Sequence, residues 1–398
     1  MKNIIIFILI FLAIIISAGC QKNTPTAPAA TATPPDIEGT VAAVLTNAAA
    51  ANATATFAAQ ETASVVAGSH TPTITCTITK LPNQTETAAA IGTIVANIQG
   101  TETQAVILSR TATPTLTSTS MPTIDSSALI VVPGGTFTQV DDTGTNSFSH
   151  TISAFKIGKY QVDYDLWYTV YQWAISNGYS FQNAGVEGSG GTPGAAPTVA
   201  KYQPVTTVNW HDAIVWCNAY SEKSGLTLCY TYSAAVIRDS NNVTACDNAV
   251  CVWAASGYRL PTEGEYQYAA SYKDGSSWTP YNYAAGASAD YTDTSATGLV
   301  AWYSANAGGV TQNSGMKTGT SLDIYDMSGN VFEWCWDWYG AYPGTSTDYK
   351  GPTSGTARLL RGGPFNYMAS YLQVGYRYSF GTPNNTGNVV GFRAAKSY

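Results

Sequence analysis

Apolar residues recur at helical spacing in three stretches of the chain, over residues 163–177, 211–224 and 262–272, and each stretch predicts an amphipathic helix. The last carries its own start signal. Thr262, placed after Pro261, can cap a helix beginning at Glu263, and Glu265 completes a capping box. Elsewhere beyond residue 128 the pattern breaks into short runs punctuated by Gly and Asn, which predicts short strands and many turns. An aromatic strand is expected over 331–338, after a turn at Gly329-Asn330. About 270 residues lie from Ala128 onward, enough for one large domain of the α+β class with much irregular structure.

The chain opens on a different pattern. Lys2 precedes an unbroken apolar run from Ile4 to Ile16, followed by Ser17-Ala18-Gly19-Cys20. A membrane-spanning helix needs roughly 20 apolar residues, so a basic start, a shorter run and small residues predict an export signal. Its small-small-Cys ending resembles the bacterial lipobox. Residues 1–19 are therefore expected to form a lipoprotein signal peptide, and Cys20 to carry the lipid that holds the protein to a membrane.

Residues 20–127 change to Thr, Ala and Pro with hardly an aromatic beyond Phe57. Such a segment buries too little apolar surface to offset its ordering entropy, which predicts a spacer, disordered or partly helical. Thr-Pro-rich stretches at 24–35, 71–82 and 111–122 alternate with Ala-rich blocks at 39–66 and 87–108, where helix is the expectation. His70 and Cys76 lie there without a nearby ligand set.

Charge then narrows the partner. Charged residues make up 11% of the chain and the net charge is −7, whereas nucleic acid requires clustered Lys and Arg. With many Tyr and Trp, the expected ligand is a neutral protein or glycan, bound by a monomer.

The stretch between Arg361-Gly362-Gly363 and Gly391-Phe392-Arg393 stands out. Residues 364–388 hold four tyrosines, two phenylalanines, four asparagines, two serines and three glycines, against one charge at Arg377. A core segment of that length would show Leu, Ile and Val in a regular period. Tyr offers stiff, amphipathic contact area while Ser, Asn and Gly add adaptable hydrogen bonding, a composition suited to ligand capture. Phe365, Asn366, Tyr367, Met368, Ser370, Tyr371, Tyr376, Tyr378, Ser379 and Phe380 are the expected ligand-binding residues.

Seven motifs stand in a fixed order: Val132-Pro133-Gly134-Gly135-Thr136-Phe137, Ile157-Gly158-Lys159-Tyr160-Gln161-Val162, Pro204-Val205-Thr206-Thr207-Val208-Asn209-Trp210, Gly257-Tyr258-Arg259-Leu260-Pro261-Thr262-Glu263, Tyr325-Asp326-Met327-Ser328-Gly329-Asn330-Val331-Phe332-Glu333-Trp334, Leu360-Arg361-Gly362-Gly363 and Gly391-Phe392-Arg393. Over residues 129–398 the series resembles the formylglycine-generating-enzyme, or sulfatase-modifying-factor, family. The resemblance implies a C-type lectin-like fold with little regular secondary structure. In the oxidases of that family a copper-binding cysteine pair lies after the double glycine; here that segment contains no Cys. A sulfoxide synthase branch uses a histidine cluster for iron, and this chain has only His70, His150 and His211, without ligand spacing. A non-enzymatic protein is therefore expected.

The pattern is also similar to the subset of retroelement-diversified variable proteins, among them spirochaete-type lipoproteins that display the domain on a stalk at the outer membrane or cell surface. In that subset the segment before Gly-Phe-Arg is mutated at adenines, so Asn codons become Tyr, Phe, Ser, Asp, Gly or Thr. The alternatives are an exported enzyme of the family with another cofactor, or a binder with a fixed ligand. The family's calcium, held near a Gly-Asn-x-x-Glu turn, would fall on Asn330 and Glu333. Arg259 and Arg393 are candidates to pair with Glu263, Glu265 or Glu333. Among the cysteines an exported chain can oxidise, Cys229 with Cys251 is the favoured disulfide, with Cys246–Cys251 as the alternative. Cys217 and Cys335, flanked by tryptophans, are expected as buried free thiols.

Overall fold

All three expected helices form, and each starts at a side-chain cap. In the computed structural model, which describes residues 124–379 and 382–398 together with four strand segments before them, α1 (Tyr164–Ile175) begins where Asp163 accepts from the Leu166 amide. Helix α2 (Trp210–Lys223) begins at Asn209, which forms a reciprocal capping box with Asp212. Two short helices without a clear periodic signal, α3 (Val243–Asp247) and α5 (Thr294–Val300), flank α4 (Glu263–Ser271), whose box is the expected one between Thr262 and Glu265.

Four strands lie in the spacer, β1 (Glu61–Val66), β2 (Thr73–Ile78), β3 (Gly92–Val95) and β4 (Ile107–Ser109), paired antiparallel in chain order. Three of these fall in the Ala-rich blocks where helix was the expectation. They contain Val65, Val66, Ile94, Val95 and Ile107, and β-branched side chains favour extended backbone.

The second unit spans Pro122–Tyr398. Its strands are β5 (Leu129–Val132), β6 (Gly135–Val140), β7 (Ser147–Ile152), β8 (Phe155–Gly158), β9 (Val186–Glu187), β10 (Val205–Thr206), β11 (Tyr230–Tyr232), β12 (Ala235–Val236), β13 (Val250–Cys251), β14 (Phe332–Trp338), β15 (Ser346–Thr347), β16 (Arg358–Arg361), β17 (Tyr378–Ser379), β18 (Val390–Gly391) and β19 (Ala395–Ser397). The central sheet runs β17-β16-β14-β18, so β14 lies between its antiparallel neighbour β16 and its parallel neighbour β18. A second sheet runs β19-β8-β5 and joins the first and last strands of this unit through β8. A third runs β15-β7-β6.

The core is unusually aromatic. Trp167 of α1 stacks on Trp216 of α2 with centroids 5.9 Å apart, and Phe392 stands edge-on to both. Buried indoles need a partner for their N–H. Trp210 donates to the Cys335 carbonyl at 2.9 Å, Trp334 to that of Val208 at 3.1 Å, and Trp216 to that of Trp167 at 3.2 Å. Gly391 is required because a Cβ there would lie 2.5 Å from the Val205 carbonyl oxygen. Its neighbours Phe392 and Arg393 turn fully inward.

The open question of the arginine partners resolves cleanly. Arg393 reaches Glu333 through Nε at 2.6 Å and Nη2 at 2.8 Å, with both side chains at 0% exposure. Arg259 forms a two-pronged pair with Glu265 at 2.7 and 2.6 Å. Each guanidinium also donates to backbone carbonyls, Arg393 to those of Gly158, Tyr325 and Asp326. Such added bonds offset the large desolvation cost of a buried pair.

The cysteines depart from expectation. Cys217, Cys229, Cys246, Cys251 and Cys335 are all buried free thiols, so neither Cys229–Cys251 nor Cys246–Cys251 is bonded. The strand register explains the first case. Cys251 sits opposite Tyr230, one residue out of step with Cys229, and alternation sends neighbouring side chains to opposite faces of a strand. Burial pushes the Cys229 thiol up to about 11 and that of Cys246 to about 12. The two thiols predicted as free, Cys217 and Cys335, are free.

Candidate functional site

The segment after the double glycine is tied down chiefly through its backbone. Arg361, 1% exposed, projects its guanidinium beneath the segment and donates to the carbonyls of Val374 at 2.5 Å, Gly375 at 3.1 Å and Tyr376. The Phe365 amide donates to the Asn330 carbonyl, those of Val374 and Gly375 donate to Tyr283 and Tyr281, and the Ser328 hydroxyl donates to Leu372. Gly362 and Gly363 take φ of +92° and +77°, the left-handed region that glycine occupies without penalty. The lone charge of the segment, Arg377, also points inward: its Nε and Nη2 lie 2.5 and 2.9 Å from the oxygens of buried Glu263, and Nη1 donates to Gly340.

On this frame the four tyrosines form one continuous cluster. Tyr378 stacks on Phe332 with centroids 4.7 Å apart and planes 5° from parallel, and Tyr367 meets Phe332 edge-on at 5.6 Å. Tyr371 links Tyr367, at 4.8 Å, to Tyr376, at 4.9 Å, and Tyr376 lies 6.3 Å from Tyr378. Phe332 is completely buried and the four tyrosines are half-buried, so each ring has one side on the core and part of its surface in solvent. Burial pushes the phenols of Tyr376 and Tyr378 upward from a value at which they are already neutral at physiological pH.

The other expected ligand-binding residues divide. Asn366, Met368 and Ser379 are exposed, Met368 by 64%, and Ser370 is half-buried. Phe365 is corrected: at 2% exposure its ring belongs to the interior and presents no surface to a ligand. Composition counts rings but does not say which way each one faces. Phe380 lies outside the described residues.

Asn330 and Glu333 are engaged as structural groups. The Asn330 side chain exchanges two 2.9 Å hydrogen bonds with the Gln312 backbone, and its φ of +67° forms the turn. Glu333 accepts from Arg393, from Gln161 Nε2 at 3.0 Å and from the Tyr266 hydroxyl at 3.2 Å. Their side-chain oxygens thus have protein donors. His150 and His211 are also internal. Tyr349 donates its amide to His150 Nε2, His211 Nε2 lies 2.8 Å from Asp247, and burial pushes His150 down to about 4.

A buried acidic pair carries no obvious sequence signal. Asp337 of β14 accepts from the Glu263 amide at 2.7 Å, and burial, then the nearby Glu263 charge, pushes its carboxyl up to about 8. An acid raised above its unfolded value near 3.8 is protonated in the folded state. Its stabilising contribution is complete below that value and is lost as pH rises toward 8. Asp163 and Asp326, pushed up to about 6 by burial, act with the same sign but over a lower window. The two histidines act oppositely, below their unfolded value of 6.5. Between pH 6.5 and 8 we therefore expect wild-type stability to fall at up to about 1.4 kcal/mol per pH unit, the limit for one proton. Asp337→Asn should flatten that slope in urea melts, and equal slopes in both proteins would count against the assignment.

The fold and frame define an α+β domain of the C-type lectin-like, formylglycine-generating-enzyme type, in which a rigid backbone presents a clustered aromatic face. Comparison places it further: residues 115–398 match the sulfatase-modifying factor enzyme 1-like domain, and the chain belongs to that family. It is similar to "Chaperone protein LppX" of Paenibacillus barcinonensis, at 31% identity over 68% of this chain and 89% of the relative. A formylglycine-generating enzyme of Thermomonospora curvata is 29% identical over 51% of this chain and 58% of the enzyme. Among solved structures, Treponema denticola variable protein 1 superposes with a TM-score of 0.55 at 28% identity, covering 68% of this chain and 95% of that one. The family holds both enzymes and proteins of other roles, and the similarity to a variable protein supports a binding role at the coarse level.

Proposed function

We infer that this domain captures a protein or glycan ligand on the face formed by Tyr367, Tyr371, Tyr376 and Tyr378, with Asn366, Met368, Ser370 and Ser379 around them, and performs no catalysis. The observation that carries this reading is the division of labour in the segment. Its backbone is held by Arg361, Gly362 and Gly363 and its charge by Glu263, so the exposed side chains can change while the frame stays. The similarity to a variable protein supports diversification of residues 360–391. Half-buried tyrosines around a rigid centre also match the pattern of interface hot spots.

The test is alanine substitution of Tyr367, Tyr371, Tyr376 and Tyr378 singly, with melting and ligand capture measured on each. Loss of a packed ring pair costs about 0.5–1.5 kcal/mol beyond area burial, so each variant should melt lower but fold. Binding by at least one should fall by about 2 kcal/mol or more. Were most of them to unfold, or all to bind as wild type does, the rings would be core and the proposal would fail.

Display at a bacterial surface through a lipid on Cys20 is part of the same proposal. Cys20→Ala should leave the protein unprocessed or release it from the membrane fraction. Unchanged detergent-phase partitioning would remove the anchor from the account.

A further inference from the structure

A cavity of about 400 Å³ opens between the β6–β7 hairpin, helix α4 and the turn that follows Trp278, a volume typical of small-molecule sites. None of its lining residues carries a charge. We propose that it is a second binding site, for one unit of a neutral sugar, separate from the tyrosine cluster.

The chemistry of the walls carries this assignment. One wall is hydroxylic: Thr136 and Thr138 are exposed on β6, and the strand register sets Ser149 of β7 directly opposite Thr138. Another part of the lining is aromatic. Trp278 is half-buried and wedged against Phe137, Tyr268 and Tyr272, with centroids at 5.4, 4.6 and 5.5 Å, so its indole is fixed before any ligand arrives. A sugar offers one C–H-rich face that packs on an aromatic ring and a rim of hydroxyls that each need a donor or acceptor. Charged ligands find no counter-charge here, and a purely apolar one would leave the Thr138 and Ser149 hydroxyls without a partner, whereas that of Thr136 is already bonded to Thr151.

A second, independent observation points the same way. Gln267, at 3% exposure, forms part of the cavity wall. Its Nε2 donates to the Val140 carbonyl at 2.8 Å, while its Oε1 has no hydrogen-bond partner. A buried acceptor left unpaired is costly, so a turn of this side chain toward the cavity, where a ligand hydroxyl can donate, would be favoured.

Saturation-transfer NMR on the full chain tests the proposal, with methyl glycosides of glucose, galactose, mannose and N-acetylglucosamine as probes and N-acetylneuraminic acid as the charged control. At least one neutral glycoside should bind saturably. Its affinity should drop about tenfold or more, or 1.4 kcal/mol, in Trp278→Ala and in Thr138→Val, and be unchanged in Tyr371→Ala. Thr138 is exposed, so its variant decides the matter should Trp278→Ala fail to fold. No transfer to any neutral glycoside, preference for the charged control, or loss in Tyr371→Ala with retention in Thr138→Val would each overturn it. The last outcome would assign the sugar to the tyrosine cluster instead, which leaves the proposed function standing.

Discussion

Replacing Arg393 by alanine is expected to unfold the domain, and so is replacing Glu333. Both side chains are fully buried and bonded at 2.6 and 2.8 Å, and the guanidinium ties the last motif to the carbonyls of Gly158, Tyr325 and Asp326. Removing one partner strands the other charge in the interior, which costs about 3–5 kcal/mol, a large share of the stability of any domain. The double variant Arg393→Met with Glu333→Leu should recover part of that loss, because an apolar pair of similar volume leaves no charge unpaired. Denaturant melts of the three proteins check this. A single variant that melts near wild type would show that the pair adds little.

Gly363→Ala should be the most damaging small change in the frame. At φ +77° an added Cβ would lie 2.5 Å from the carbonyl oxygen of Tyr371, a backbone atom, so the segment itself must move. Holding alanine in that conformation costs about 1–3 kcal/mol before the clash is counted. At Gly362 the contact is the Tyr266 hydroxyl at 2.8 Å, the end of a side chain, and the penalty there should be smaller. Since Tyr371 sits in the middle of the ring cluster, Gly363→Ala should weaken ligand capture even where the domain still folds. Melting and binding measured together decide the point: wild-type capture by a folded Gly363→Ala protein would mean that the frame does not set the shape of the face.

Local signals in the sequence were reliable where the physics was local. Thr262 and Glu265 announced the start of α4 because a capping box spans only three residues. At the glycines of the two flanking motifs the structure supplies the atoms that a side chain would strike. What stayed hidden depended on contacts far apart in the chain. Arg377 counted only as the single charge in a neutral segment, and its partner Glu263 lies 114 residues away. Arg361 read only as part of a short motif flanking the segment, and only the fold brings three carbonyls to its guanidinium. Phe365 was placed on the binding face because an aromatic in a Tyr-rich stretch carries no mark of its direction; it packs inside. The cysteine pairing failed for a related reason, since being next to a strand does not fix register.

The order in which the pieces become available has its own implication. Glu333 and β8 wait for partners, Arg393 and β19, that are made after the whole tyrosine segment. A reading-frame error or early stop anywhere in that segment deletes both, and the resulting chain keeps a buried carboxylate with no counter-ion. Misread products should therefore reach proteases as unfolded polypeptide, so that a gene able to alter this segment freely would discard its own defective copies without any separate inspection.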